Sequence, residues 1–172
     1  MMTIEPLGEV TPDKSIPEWL VSEPTETAYF PGTKLVFVFE NILEDTNTEE
    51  FASAARAFLN LTVADRDLAT SHVFKNFTDF ANAVGPEDVH VKIARQADVW
   101  RHVHPTAVHV SRRPYGDKSV YVQITAECDW EPEHGLQITY RHGNNLRRVS
   151  QQDGHLTHTD AYDLPEDEDR IS

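Results

Sequence analysis

The feature that most constrains this chain is a strict two-residue alternation near its C-terminal end. Val120, Val122, Ile124, Ala126 and Cys128 alternate with Tyr121, Gln123, Thr125 and Glu127. That is the period of a strand with one face on a core and the other in water. After a break at Trp130 to Gly135, Leu136, Ile138 and Tyr140 resume the alternation. Gly143-Asn144-Asn145 then supplies residues that tolerate positive φ before a third run, Leu146 to Ser150. The stretch predicts a three-stranded antiparallel meander. Ala107 to Ser111 precedes it as a further strand, with Pro114 and Gly116 in the connecting hairpin loop.

Helical spacing dominates the middle of the chain. Thr46 and Glu49 have capping-box spacing, and Phe51, Ala54, Ala55, Phe58 and Leu59 follow on one stripe. A second helix is predicted from Thr62, with Asp65 three residues on, through Ala69, Val73, Phe77, Phe80 and Val84 to Gly85-Pro86. The pair reads as an αα-hairpin whose phenylalanines pack on the sheet. Leu35 to Phe39 is an apolar run of strand length without alternation, which suggests a central strand covered on both faces. Residues 86 to 100 fit a strand or a helix, and are expected to be irregular with one helical turn near Ala94 to Asp98.

The ends read differently. Residues 1–26 carry Pro6, Pro12, Pro17 and Pro24 and no sustained period, so they are expected to form an extended arm pinned by Trp19 and its neighbours. Residues 161–172 are expected to be a frayed acidic tail, which leaves 27–160 as a single domain. The formal net charge is −14, and it sits mainly at these ends: six acids against Lys14 in 1–26, six against Arg170 in 160–172. That balance argues against nucleic-acid binding, although Lys92, Arg95, Arg101, Arg112, Arg113 and Lys118 offer a local basic patch. Steering toward a basic protein partner, or plain solubility, are the two readings of the acidity. No apolar run reaches the length of a membrane span and no secretory signal is visible, so a cytoplasmic setting is expected. Cys128, the one cysteine, lies on the apolar face of its strand and reads as a core residue.

The run Cys128, Trp130, Glu133, His134, Gly135 and Leu136, followed by Arg148, Val149, Ser150, Asp153, Gly154, His155, Leu156 and Thr157, resembles the C-terminal signature of a family of uncharacterised bacterial domains. The likeness spans roughly Leu35 to Tyr162 and leaves residues 1–26 outside. It implies an α+β fold and a bacterial setting, sometimes beside toxin and immunity genes. It carries over no catalytic residues.

Read from the residues, the same stretch offers two polar corners on one edge of the meander, Glu133-His134 and Asp153-His155. Two imidazoles with two carboxylates form a ligand set for a divalent metal such as zinc. The alternative is that the acids accept backbone N–H bonds in their turns and the histidines pair with them. His102-Val103-His104 is an H-x-H on one strand face, open to the same two readings. Trp130, Glu131 and Arg148 are the candidates for a partner-binding face, with Trp130 also read as a core residue because it continues the inward period. No phosphate loop, dinucleotide fingerprint or nucleophile elbow is present.

The expected architecture is therefore α+β, an antiparallel sheet with the helical hairpin on one face. Two functions are compatible with it. One is a non-enzymatic protein-binding module of immunity type that occludes a basic effector and needs no cofactor. The other is a metal-binding protein or metal-dependent enzyme using Glu133, His134, Asp153 and His155.

Overall fold

A computed structural model describes residues 1–172. Its centre is an eight-stranded sheet. Three strands come from the N-terminal segment: β1 (Met2–Ile4), β2 (Gly8–Pro12) and β3 (Leu20–Val21). A separate small hairpin follows, β4 (Thr25–Glu26) with β5 (Lys34–Leu35), and then β6 (Phe37–Phe39). Three helices come next, α1 (Thr48–Leu59), α2 (Val63–Asp67) and α3 (Thr70–Val84). Strands β7 (Val103–Arg112), β8 (Val120–Cys128), β9 (Leu136–Arg141) and β10 (Asn145–Ser150) complete the sheet, and a short α4 (His158–Tyr162) follows. The strand order is β1-β2-β3-β6-β7-β8-β9-β10.

The sheet is mixed, not wholly antiparallel as the sequence suggested. β6 pairs parallel with β7, Val38 opposite His109, while the other neighbours in the sheet are antiparallel. The helices explain it: they lie between β6 and β7 in the chain, and a connection of that length returns the chain to the same end of the sheet, as a parallel pair requires. The apolar run at Leu35 to Phe39 accordingly reaches an interior position between β3 and β7. The expected second helix is split in two. Its start at Thr62 is capped as its spacing implied, with the Thr62 N–H donating to Asp65 Oδ2 at 2.8 Å, but the stripe is broken at Leu68 and Ala69, and Leu68 is exposed. The Thr46/Glu49 box does not form. α1 begins instead behind Asn47, and Glu49 pairs with Arg56.

The N-terminal segment is part of the sheet. Its sequence hides this because its strands are two to five residues long and separated by prolines, yet Ile4, Leu7, Val10 and Leu20 are buried in the one core. Trp19 packs edge-on against His109 with ring centroids 6.1 Å apart. Residues 86 to 102 contain two 3₁₀ turns, at Pro86–Asp88 and Gln96–His102.

The even positions of β8, Val120 to Cys128, face the helices with Phe51, Ala55 and Phe58 of α1. α1 approaches closely because its buried face carries Ala52, Ala54 and Ala55, and the β9–β10 turn uses that space. Gly143 (φ +85°) sits so near the Ala54 backbone that a Cβ there would lie 2.9 Å from the Ala54 carbonyl carbon. Tyr29 and Tyr140 meet inside this layer, hydroxyl to hydroxyl at 2.8 Å.

The odd face of the sheet, expected to be wet, is covered along β9, while Gln123 and Thr125 of β8 are half-buried and Glu127 is exposed. Gln137 and Thr139 are 0% exposed because residues 151–162 cross over them. Gln137 Nε2 donates to the His155 carbonyl and Thr139 Oγ1 to the Leu156 carbonyl, each at 2.7 Å. Polar strand residues thus serve as hydrogen-bond partners for a peptide segment that would otherwise bury unsatisfied carbonyls. The C-terminal residues are correspondingly fastened, not frayed. Arg113, 1% exposed, is chelated by Asp160 and Glu166, Arg147 pairs with Asp169, and the Val149 N–H donates to the Ile171 carbonyl at 2.8 Å.

Candidate functional site

The β8–β9 turn is built around the Glu131 carboxylate. Cys128 ends the strand, and Gly135 (φ +66°) closes the turn by donating its N–H to the Glu131 carbonyl at 3.0 Å. That arrangement leaves Glu131 Oε1 to accept the Glu133 N–H at 3.2 Å and Oε2 to accept the His134 N–H at 3.1 Å. His134 Nδ1 also lies 3.1 Å from Oε2. Glu131 is buried while Glu133 and His134 are exposed, and ligand atoms of all three lie within 4.8 Å of one another.

Of the four residues read as a metal set, the structure therefore brings together Glu133 and His134, and adds Glu131. Asp153 and His155 do not join them. The two corners do share an edge, since the Gln152 N–H donates to the His134 carbonyl at 3.3 Å. Asp153 is turned to Arg148, whose Nη1 and Nη2 lie 2.7 and 2.8 Å from its two oxygens. Burial pushes the Asp153 carboxyl up, but the Arg148 guanidinium and the His155 N–H outweigh it and hold the group below its ordinary value. His155 is exposed at its side chain, and its backbone carbonyl accepts from Arg148 and Gln137.

The three residues expected at a partner face are all inside. Trp130 is 3% exposed, edge-on to Phe77 with ring centroids 5.8 Å apart and its Nε1 donating to Asn76 Oδ1 at 3.0 Å. Glu131 is held within its turn and Arg148 is consumed by Asp153. The arginines of the basic patch are also taken up on folding. Arg112 pairs with Asp45 and Glu50, Arg113 with Asp160 and Glu166, and Arg95 and Arg101 share Asp98.

The His102 and His104 pair was legible in the sequence, but its third member was not. The two histidines flank Val103 at the start of β7, and between them stands Asp129, with Oδ2 2.9 Å from His102 Nδ1 and Oδ1 2.8 Å from His104 Nε2. Burial opposes ionisation of Asp129, yet its two imidazole partners leave its carboxyl below the usual value. The only signal available was register. Val103 pairs with Cys128, so the residue after Cys128 falls beside His102. Cys128 itself is buried, and burial pushes its thiol up to about 11, the state of a core residue and not of a nucleophile.

Beside the Glu131 turn, α3 and β10 leave an open groove of about 360 Å³, lined by His72, Lys75, Phe80, Arg148 and Asp153 among others. No helix is long and apolar enough to cross a membrane.

Residues 6–156 match the family described as a domain of unknown function, DUF6985, and the chain belongs to that family. The match starts at residue 6, so it takes in β2 and β3 of the N-terminal segment. No curated protein and no solved structure matches the chain.

Proposed function

We propose that this DUF6985 domain is a non-enzymatic protein-binding module whose partner is a basic protein, with an immunity-type role, occlusion of a bacterial effector, as its specific form. One observation carries the reading: the N-terminal segment presents a run of unpaired acids. Asp153, Asp160, Glu166 and Asp169 of the C-terminal half are paired with buried or part-buried arginines, whereas Glu5, Glu9, Glu18, Glu23 and Glu26 of the N-terminal segment are exposed and enter no ion pair. Lys14 and Lys34 are the only cations in that segment. A face of one sign steers an oppositely charged partner and raises its association rate.

The test is capture from bacterial cells on the immobilised chain, beside a variant with Glu5, Glu9, Glu18 and Glu23 changed to Gln. The expected result is a basic polypeptide that elutes as salt approaches ~1 M, where the screening length shrinks to about 3 Å, and that the variant fails to retain. Equal retention by the two proteins at matched melting temperature would overturn the reading.

The convergence of Glu131, Glu133 and His134 supports a second reading, a divalent-metal site of mixed oxygen and nitrogen donors. Metal analysis of protein purified without chelator decides it. Stoichiometric zinc that disappears in His134→Ala supports a site, and its absence from the parent after zinc addition and gel filtration removes it.

A further inference from the structure

We propose that the outer edge of β10 is a docking site for an extended segment of a partner protein with the pattern acid, any residue, aliphatic, and that Asp169–Ile171 occupies it in cis. β10 is the last strand of the sheet, and an uncovered strand edge is a ready template for another strand. One backbone bond crosses that edge, from the Val149 N–H to the Ile171 carbonyl at 2.8 Å. Two residues earlier, Asp169 reaches Arg147 of β10, and Ile171 packs against the core. Acid and aliphatic are thus spaced by the two-residue period of a strand, and the chain's own segment shows what the edge accepts.

The fit in cis is incomplete, which is what makes the site more than a fastening. Asp169 divides its carboxylate, Oδ2 to Arg147 Nη2 and Oδ1 to the Thr159 N–H at 3.3 Å. Arg147 Nε is left buried with no acceptor. A guanidinium is matched by a carboxylate that takes two of its N–H groups at once, and a buried donor without a partner is costly. An incoming strand able to present both oxygens to Arg147, and to pair with more of β10 than Val149 alone, makes contacts that Asp169–Ile171 does not. This surface lies at the opposite end of the sheet from the acidic N-terminal strands and stands or falls independently of them.

The probe is a fluorescent peptide of residues 165–172, Pro-Glu-Asp-Glu-Asp-Arg-Ile-Ser, added to the full chain and to the double variant Asp169→Lys/Ile171→Asp, which empties the edge without touching β10. Because a tethered occupant competes at roughly millimolar effective concentration, the double variant should bind the peptide at least about tenfold more tightly than the parent. Adding Arg147→Glu should abolish that binding. A folded double variant that binds no peptide, or equal binding by parent and variant, overturns the proposal. So does a doubled mass of the parent in sedimentation, which would mean that copies exchange these segments. Should the double variant fail to fold, hydrogen exchange on the parent decides. The Val149 amide is expected to exchange at least about a hundredfold faster than the Ile138 amide, and equal protection refutes a releasable segment.

Discussion

Gly143 and Gly154 have nearly the same positive φ, +85° and +80°, but opposite surroundings. A methyl group added at Gly154 meets nothing within 4 Å, whereas one at Gly143 lands against the Ala54 carbonyl, 2.9 Å from its carbon and 3.1 Å from the Ala54 Cα. Gly154→Ala should therefore cost only the left-handed strain of an L-residue, roughly 1–2 kcal/mol. Gly143→Ala carries the same strain and must also push α1 off the sheet. The helix cannot yield cheaply, since Phe51, Ala55 and Phe58 on the same face are 0–1% exposed. Overpacking of that kind adds roughly 1–3 kcal/mol, for a total of about 2–5 kcal/mol. Urea unfolding measures both variants, and a shift of midpoint at unchanged slope reports stability alone. If the two variants agree to within about 0.5 kcal/mol, the scatter of an ordinary surface change, α1 does not rest on the β9–β10 turn.

Three further outcomes follow from the packing. Trp130→Phe should cost about 1 kcal/mol by stranding Asn76 Oδ1, and Trp130→Ala about 3–5 kcal/mol, read from unfolding midpoints; near-parental stability of Trp130→Ala would show the ring to be dispensable to the core. Arg113→Met should destabilise by roughly 3–5 kcal/mol because it leaves Asp160 and Glu166 facing each other without a cation, and adding Asp160→Asn should recover part of the loss. Asp153 has its folded value below the unfolded one, so its contribution is present above the ordinary carboxylate range near pH 4 and is lost as pH falls through the lower folded value. Thermal melts from pH 6 to pH 2 should show a shallower acid limb in Arg148→Met/Asp153→Asn than in the parent, and identical limbs would refute the assignment.

What could be read from the sequence was whatever depended on local period. The alternation of Val120 to Cys128, the inward step that buries Trp130 and the Thr62/Asp65 cap are properties of neighbours in the chain. What could not be read depended on pairing between distant segments. The strands before Phe37 are too short to show a period, and the parallel β6–β7 pair is a consequence of where the helices are inserted. The polar face of β9 looked solvated because Gln and Thr usually are, and only the three-dimensional path of residues 151–162 turns them into partners for buried carbonyls. The candidate site divides in the same way. Glu133 and His134 stand two and three residues after Glu131, so their convergence is local, whereas Asp153 was free to answer to either corner and answers to Arg148.

Net charge illustrates the same limit, and resolving it changes what the acidity means. The acids at the two ends of the chain are compositionally alike, but the fold treats them differently. Asp160, Glu166 and Asp169 fasten the C-terminal segment to Arg113 and Arg147, and they neutralise cations that the sheet has already buried. Their charge is spent inside the molecule. The glutamates of residues 1–26 meet no arginine: β1 to β3 lie beyond β6, away from the strands that carry Arg112, Arg141, Arg147 and Arg148. Asp163, Asp167 and Glu168 stay exposed beside the fastening acids, whereas the N-terminal segment carries unpaired glutamates and no arginine, so the sheet has an acidic end there. A partner attracted to that end by charge would approach the N-terminal strands, while the C-terminal edge, where Arg147 retains an unmet donor, selects for the opposite sign.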